Sequence, residues 1–179
     1  GLENILNGDS KTGTVQSVTV PEDWSWLFLR PVLDDKAFTG MVLSKEKFIN
    51  WRGQYAAVEE GEFTPLHKNT TIAVAPAKNI LREFRLFCVG KEVVTGSLYK
   101  VGGKSTLQRY DSKLEPEVSS FIGSMISKWQ PAQAFVLDVA ITADGPKIIE
   151  INTINSAGFY DADPRQIITA IEGLAQRQS

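Results

Sequence analysis

The chain has 179 residues, enough for one domain or two closely packed lobes, and at that size roughly 70% of the unfolded surface is buried on folding without covalent staples. Hydrophobic residues make up 42% and charged residues 22%, ordinary values for a soluble globular protein. Lys and Arg number 19 against 21 Asp and Glu, a formal charge of −2, which argues against a nucleic-acid partner because non-specific binding needs excess positive charge to displace counterions.

The lone cysteine, Cys88, excludes an intramolecular disulfide and any cysteine-rich metal site. The lone histidine, His67, removes every scheme that needs two imidazoles and disfavours a Ser-His-Asp enzyme. A chain without disulfides fits a reducing compartment, so a cytoplasmic location is expected. No apolar run approaches the roughly 20 residues of a membrane helix, and no membrane partner is expected. The start, Gly1-Leu2-Glu3, has neither a basic nor an apolar leader region. Its lack of Met predicts a chain processed or cut from something longer.

In chain order, residues 1–12 are polar and turn-rich, with Asn7-Gly8-Asp9-Ser10 as a turn signal. Strands are predicted over Thr14–Val20 and Trp26–Pro31, then a short one over Thr39–Leu43. Ser44 can N-cap a helix whose apolar residues Phe48, Trp51 and Tyr55 recur at helical spacing. The charged, Gly- and Pro-containing stretch Glu59–Lys68 predicts a junction, dividing the chain into an N-terminal lobe over 1–68 and a C-terminal lobe over 69–179.

Thr70–Ala75 is a β-branched run. Leu81–Val89 and Glu92–Lys100 form a predicted hairpin around Gly90-Lys91, a pair suited to a type II′ turn. A helix follows, with Pro116 near its start and Val118, Phe121, Ile122, Met125, Ile126 and Trp129 on its apolar side. A second hairpin joins Ala134–Thr142 to Lys147–Thr153. A last helix starts at Asp163-Pro164 and is expected to bury Ile167, Ile168, Ile171 and Leu174. Consecutive hairpins with three principal helices point to an α+β fold rather than a parallel doubly wound one.

The sharpest feature is Asp138 on one strand of the second hairpin, with Glu150 and Asn152 on the other. Residues 150 and 152 share a face about 6.6 Å apart, at about 3.3 Å per residue, while Ile149 and Ile151 point to the presumed core. A two-residue loop Asp144-Gly145 would set Asp138 opposite Ile151, on the wrong face. A three-residue loop Ala143-Asp144-Gly145 sets it opposite Glu150, and Gly145 can supply the left-handed residue that such a loop needs. Two carboxylates and an amide oxygen without His or Cys suit Mg²⁺ or Mn²⁺ rather than zinc. Because Mg²⁺ borrows phosphate oxygens, such a site suggests a nucleotide partner. The alternative is a solvated polar face of an antiparallel hairpin.

Basic residues for such phosphates are available. Arg30 ends the apolar strand Leu27-Phe28-Leu29, and Lys36 sits in the loop Asp34-Asp35-Lys36 before Phe38-Thr39-Gly40, although a loop Lys beside two Asp is more often a solvated charge cluster. Arg85 alternates away from Phe84 and Leu86, onto the face of Glu83. In a two-residue hairpin it stands opposite Gly96, which would leave space above the sheet, with Ser97 and Tyr99 beyond. A plain Glu83–Arg85 pair on a wet face is the competing account. His67 reads as an exposed loop residue, Cys88 as a small core side chain, and the tryptophans as packing residues.

Together these strings resemble a known family. Glu83-Phe84-Arg85-Leu86-Phe87 followed by Val93-Val94-Thr95-Gly96-Ser97-Leu98-Tyr99 resembles the central segment of ATP-grasp enzymes. Phe135-Val136-Leu137-Asp138-Val139 with Ile148-Ile149-Glu150-Ile151-Asn152 is similar to that superfamily's metal-binding hairpin. Phe28-Leu29-Arg30-Pro31, Lys36-Ala37-Phe38-Thr39-Gly40 and Asn155-Ser156-Ala157-Gly158-Phe159-Tyr160 are similar to the clade named for one arginine and two lysines.

The resemblance implies two α+β lobes of mainly antiparallel sheet gripping ATP, and ligation of a carboxylate to an amine through an acylphosphate. It implies that Asp138, Glu150 and Asn152 hold the metal and that Arg85, Lys36 and Arg30 serve catalysis. Arg30, Lys36, Thr39 and Gly40 would bind phosphate, with Val74, Ala75, Ile80 and Glu83 along the rest of the nucleotide. The implied partners are ATP and a carboxylate-bearing small molecule or peptide. Only Lys36 can be placed of the clade's two lysines, and the usual further N-terminal domain has no room, so a missing domain or partner protein is expected. Two other classes remain, a non-catalytic ATP-binding module acting through a partner and a structural α+β interaction domain.

Overall fold

The computed structural model describes residues 2–33, 37–61 and 65–177. They form two compact units, one over Asn7–Lys78 and one over Asn79–Ser179 together with Glu3–Leu6. The junction expected after residue 68 lies ten residues later, because the run at 71–76 pairs with strands of the first unit.

The first unit contains β1 (Lys11–Thr14), β2 (Trp26–Pro31), β3 (Met41–Ser44), α1 (Lys45–Ala56) and β4 (Thr71–Pro76). Its sheet has the order β1-β4-β2-β3 and every neighbour is antiparallel. Period-two alternation sends Leu27 and Leu29 inward to join Ile72, Val74 and Phe48, while Arg30 stays exposed. Ser44 caps α1 by accepting the Lys47 N–H at 3.3 Å.

The strand expected over Thr14–Val20 instead ends at Thr14. Ser17 and Val18 donate their N–H groups to Thr14 O, and the Thr14 and Ser17 hydroxyls meet at 2.7 Å. Local hydroxyl bonds compete with the ladder and turn the chain, yet Val15 and Val18 still reach the core.

The second unit contains β5 (Ile80–Val89), β6 (Glu92–Val101), β7 (Lys104–Arg109), α2 (Pro116–Lys128), β8 (Ala134–Thr142), β9 (Gly145–Asn152) and α3 (Pro164–Gln176). Its antiparallel sheet runs β7-β6-β5-β8-β9. On one face α2 packs Val118, Ile122 and Ile126 against Phe84, Leu86, Cys88, Leu137 and Val139. On the other, Ala162 and Ile167 of α3 and its lead-in cover Phe87 and Val136. That second face also carries Arg85, Asp138, Ser97 and Glu150.

β7 follows Gly102 and Gly103, which turn the chain with φ of 54° and 78°. It has no sequence signature, because five of its six residues are exposed and no apolar alternation marks it. Ile168 and Ile171, expected inside, are 57% and 38% exposed, so α3 seats a narrower stripe than its sequence offers. Trp129, expected to pack, is 61% exposed, since it lies past the last turn of α2 in extended backbone. His67 is half-buried and its Nδ1 accepts the Asn69 N–H, rather than standing free in a loop.

Gly96 differs from its expected part. A bulge between Phe87 and Cys88 shifts the register, so Arg85 stands opposite Ser97 and Gly96 opposite Leu86. A Cβ on Gly96 would lie 2.5 Å from Leu86 Cδ2 and 2.7 Å from Arg85 O. The glycine therefore serves close packing of β6 on β5.

Gly96→Ala is expected to cost about 1–3 kcal/mol by overpacking, read as a lower urea midpoint with an unchanged slope. Cys88 is buried, and burial pushes its thiol from 9.0 up to about 12. A raised folded-state value means that stability falls as pH rises from the thiol's ordinary range toward that value. The melting temperature should drop across this alkaline window, and less steeply in Cys88→Ala.

Candidate active site

The polar face of the second sheet is organised by one cross-strand row. Glu150 of β9 stands opposite Asp138 of β8, Asp138 opposite Arg85 of β5, Arg85 opposite Ser97 of β6, and Ser97 opposite Arg109 of β7. Cross-strand partners share a face, so five strands deliver these side chains to one side of the sheet.

Asp138 meets Glu150 by a route that loop length alone does not predict. The turn holds two residues, Ala143 and Asp144, because Thr142 already pairs with Gly145. Gly145 does take a left-handed φ of 89°. Continued unchanged, that register would set Asp138 opposite Ile149. A bulge between Asp138 and Val139 adds one residue to β9 and brings Glu150 into place. Ile151, expected in the core, is 38% exposed.

Arg85 holds the centre. Its Nε donates to Asp138 Oδ1 at 2.8 Å and its Nη2 to Oδ2 at 2.6 Å. The two side chains are only 13% and 3% exposed, so this bidentate pair is largely removed from water. Glu150 Oε1 lies 3.7 Å from Arg85 Nη2 and accepts the Asn152 Nδ2–H at 2.8 Å. The competing Glu83–Arg85 pairing is not made: Glu83 bonds Lys100 at 3.1 Å and accepts the Tyr99 hydroxyl at 2.9 Å.

The charges respond to this crowding. Hydrogen bonding to Asp138 raises the Arg85 guanidinium further above its ordinary value. Burial raises the Asp138 carboxyl above its ordinary value, against the lowering pull of Arg85 and with a smaller upward push from the Glu150 carboxylate beside it. Tyr99 is also raised, by burial and then by the charges of Asp138 and Glu83.

Two aromatic residues, Tyr99 and Tyr160, complete the site. Tyr99 is the extra residue of β6 in its register with β5, and two positions on from Ser97 its ring lies on the same face. Tyr160 stacks on it at 4.9 Å and 7°. The Arg85 Cζ lies 5.8 Å from the Tyr99 ring and 5.1 Å from the Tyr160 ring. Among the described residues Tyr160 is the non-glycine with positive φ, at 52°, a conformation that costs energy and persists where its surroundings hold it. Phe159 anchors the segment by stacking on Phe87 at 5.5 Å.

The donor set fits a hard cation. Glu150 and Asn152 keep oxygen atoms for one, and the two adjacent carboxylates repel until a cation or proton relieves them. No group of three or more His, Cys, Asp and Glu side chains with a metal-holding arrangement occurs among the described residues. Two carboxylates and an amide leave positions for water and phosphate oxygens, as Mg²⁺ prefers.

Most of the other expected site residues belong to the first unit. Arg30 is exposed at the end of β2, and a Cβ on Gly40 would lie 3.2 Å from the Phe28 ring and 3.7 Å from Arg30 Cβ. Thr39 and Gly40 are exposed in the segment before β3. Val74 points into the first core, Ala75 is buried opposite Phe28, and Ile80 opens β5 opposite Thr142. Lys36 lies outside the described residues.

This architecture is shared by solved ATP-grasp ligases. D-alanine–D-alanine ligase from Bacillus anthracis complexed with ATP matches with TM-score 0.58 at 10% identity, covering 99% of this chain and 63% of that one. The D-cycloserine synthetase DcsG matches with TM-score 0.55 at 11% identity, over 88% of this chain and 57% of that one. The ATP-grasp ligase PsnB, complexed with minimal precursor, Mg and ADP, matches with TM-score 0.54 at 10% identity, and there the chain spans 88% of its own length and 48% of PsnB. No curated protein sequence matches. The model of an ATP-grasp domain, the second family of the clade named for one arginine and two lysines, matches residues 10–170, and the chain belongs to that family.

Removing Asp138 would strand the Arg85 charge. Asp138→Ala is expected to cost about 3–5 kcal/mol in chemical denaturation, and adding Arg85→Met should restore part of that loss. Simple additivity of the two single changes would contradict the coupling.

Proposed function

We propose that the chain is the ATP-binding and catalytic part of an ATP-dependent ligase that joins a carboxylate to an amine. The observation that carries this reading is the paired placement of Asp138 with Glu150 beside Arg85 on one sheet face, within a chain of the ATP-grasp family. ATP is the proposed substrate, and its phosphates complete the oxygen set that Asp138, Glu150 and Asn152 begin. Bound there, Mg²⁺ would neutralise phosphate charge.

The proposed chemistry asks for positioning and charge more than for a general base. A substrate carboxylate oxygen attacks the γ-phosphorus, ADP leaves, and an amine then displaces phosphate from the acylphosphate. Arg85 is the proposed partner of the transferring phosphoryl group: Asp138 and the two tyrosine rings hold its guanidinium in place, so little reorganisation is needed as charge develops. Glu83, held by Tyr99 and Lys100, is proposed to face the nucleotide beyond it. Arg30, Lys36, Thr39 and Gly40 are proposed phosphate-binding residues of the first unit. Val74, Ala75 and Ile80 are proposed for the adenine side, where backbone groups rather than the buried Val74 side chain would serve.

Calorimetry with ATP and Mg²⁺ tests the reading. The wild-type chain should bind ATP in a Mg²⁺-dependent manner, and Glu150→Ala should weaken that binding by about tenfold or more. Equal binding with and without Mg²⁺ would overturn the metal assignment. Binding with no phosphate release over a panel of carboxylates and amines would favour a non-catalytic module.

A further inference from the structure

A second feature of the same sheet lies beyond the row. β7 pairs with β6 only from Ser97 to Val101, and the chain then leaves, its last contact being Tyr110 N–H to Gly96 O. The β6 edge over Glu92–Thr95 therefore has β5 on one side and no strand on the other among the described residues. A cavity of about 450 Å³ opens beside that edge, walled by Val93, Val94 and Thr95, by Tyr110 and Leu114, and by Gln166 of α3.

Arg109 sits at its rim. It donates from Nε to Asp161 O at 3.1 Å, while its Nη1 stays 3.8 Å from Asp163 Oδ2, too far for a hydrogen bond. The side chain is 56% exposed, so its terminal nitrogens are available to a ligand. Two acidic groups stand nearby: Asp111 Oδ1 accepts the Lys113 N–H, and Asp163 accepts the Arg165 N–H with Oδ1 while its Oδ2 faces Arg109 as a long ion pair. Through Ser97, Arg109 is two strands from Arg85, about 10 Å at the usual strand spacing.

We propose that this cavity binds an extended peptide segment bearing an acidic side chain, its backbone paired along the free β6 edge and its carboxylate on Arg109. An unpaired strand edge is a template for strand addition, with backbone bonds giving affinity and side-chain pockets giving selectivity. The apolar walls at Val93, Val94 and Leu114 suit the side chains beside the acidic one, and a guanidinium fork selects a carboxylate. Resting on the ligase reading for its role, the site holds the carboxylate substrate at a fixed distance from Arg85.

The test is a nuclear magnetic resonance titration of the ¹⁵N-labelled chain with acetyl-Ala-Val-Glu-Val-Ala-amide, and with the same peptide carrying Gln for Glu. Saturable amide shifts at Val93–Thr95 and Arg109–Ser112 are expected with the Glu peptide. The Gln peptide, and separately Arg109→Gln with the Glu peptide, should each bind about tenfold or more weakly. Absence of shifts at those amides at millimolar peptide, shifts confined elsewhere, or equal binding of the two peptides would overturn the proposal. No nucleotide is present in this titration, so its failure is separate from failure of the Mg²⁺–ATP experiment.

Discussion

The bidentate pair between Arg85 and Asp138 is the constraint around which the second unit's polar face is built. An aspartate only 3% exposed cannot remain charged without a partner, and an arginine at the centre of a sheet needs an acceptor for its fork. Each answers the other across adjacent strands, and the neighbouring groups are arranged about them. Glu150 stands beyond Asp138, Ser97 beyond Arg85, and the Tyr99 and Tyr160 rings lie against the guanidinium. The pair also keeps the guanidinium from collapsing onto Glu83, which Lys100 and Tyr99 hold instead.

Register irregularities do much of the placing. Three bulges are decisive: one in β6 that sets Ser97 opposite Arg85, one at Tyr99 that brings Lys100 to Glu83 beside the Tyr99 hydroxyl, and one in β9 that brings Glu150 to Asp138. Each trades local ladder regularity for the aim of a side chain, which is the recurring use of bulges near functional sites. The left-handed backbone at Tyr160 is a further local cost at the same place. That strain is held by ring stacking on both sides of the turn, Phe159 on Phe87 and Tyr160 on Tyr99.

Much of this was legible in the amino-acid order. The α+β class, the three helices, the β5–β6 and β8–β9 hairpins and the set Arg85, Asp138, Glu150 and Asn152 follow from apolar periodicity, caps and charge placement. Legibility failed where the determining contact is not local. β7 is exposed on nearly every residue, so no apolar alternation announces it. β4 reads as part of the later lobe because its partners, β1 and β2, are distant in sequence. Tyr160, far along the chain from Tyr99, stacks on it from a left-handed backbone position that no local pattern announces.

The sequence by itself determined which residues are acidic, basic or apolar at each strand position, and hence that a polar face carrying two carboxylates and an arginine would exist. Alternation and capping are local, and local physics suffices for them. Only the tertiary structure decided which polar groups meet. Opposition across strands depends on register, and one added residue moves every later side chain to the other face. Loop arithmetic reached the Asp138–Glu150 pairing through a three-residue turn. The chain reaches it through a two-residue turn and a compensating bulge, a balance set by packing on α2 and by the bond between Asp138 and Arg85.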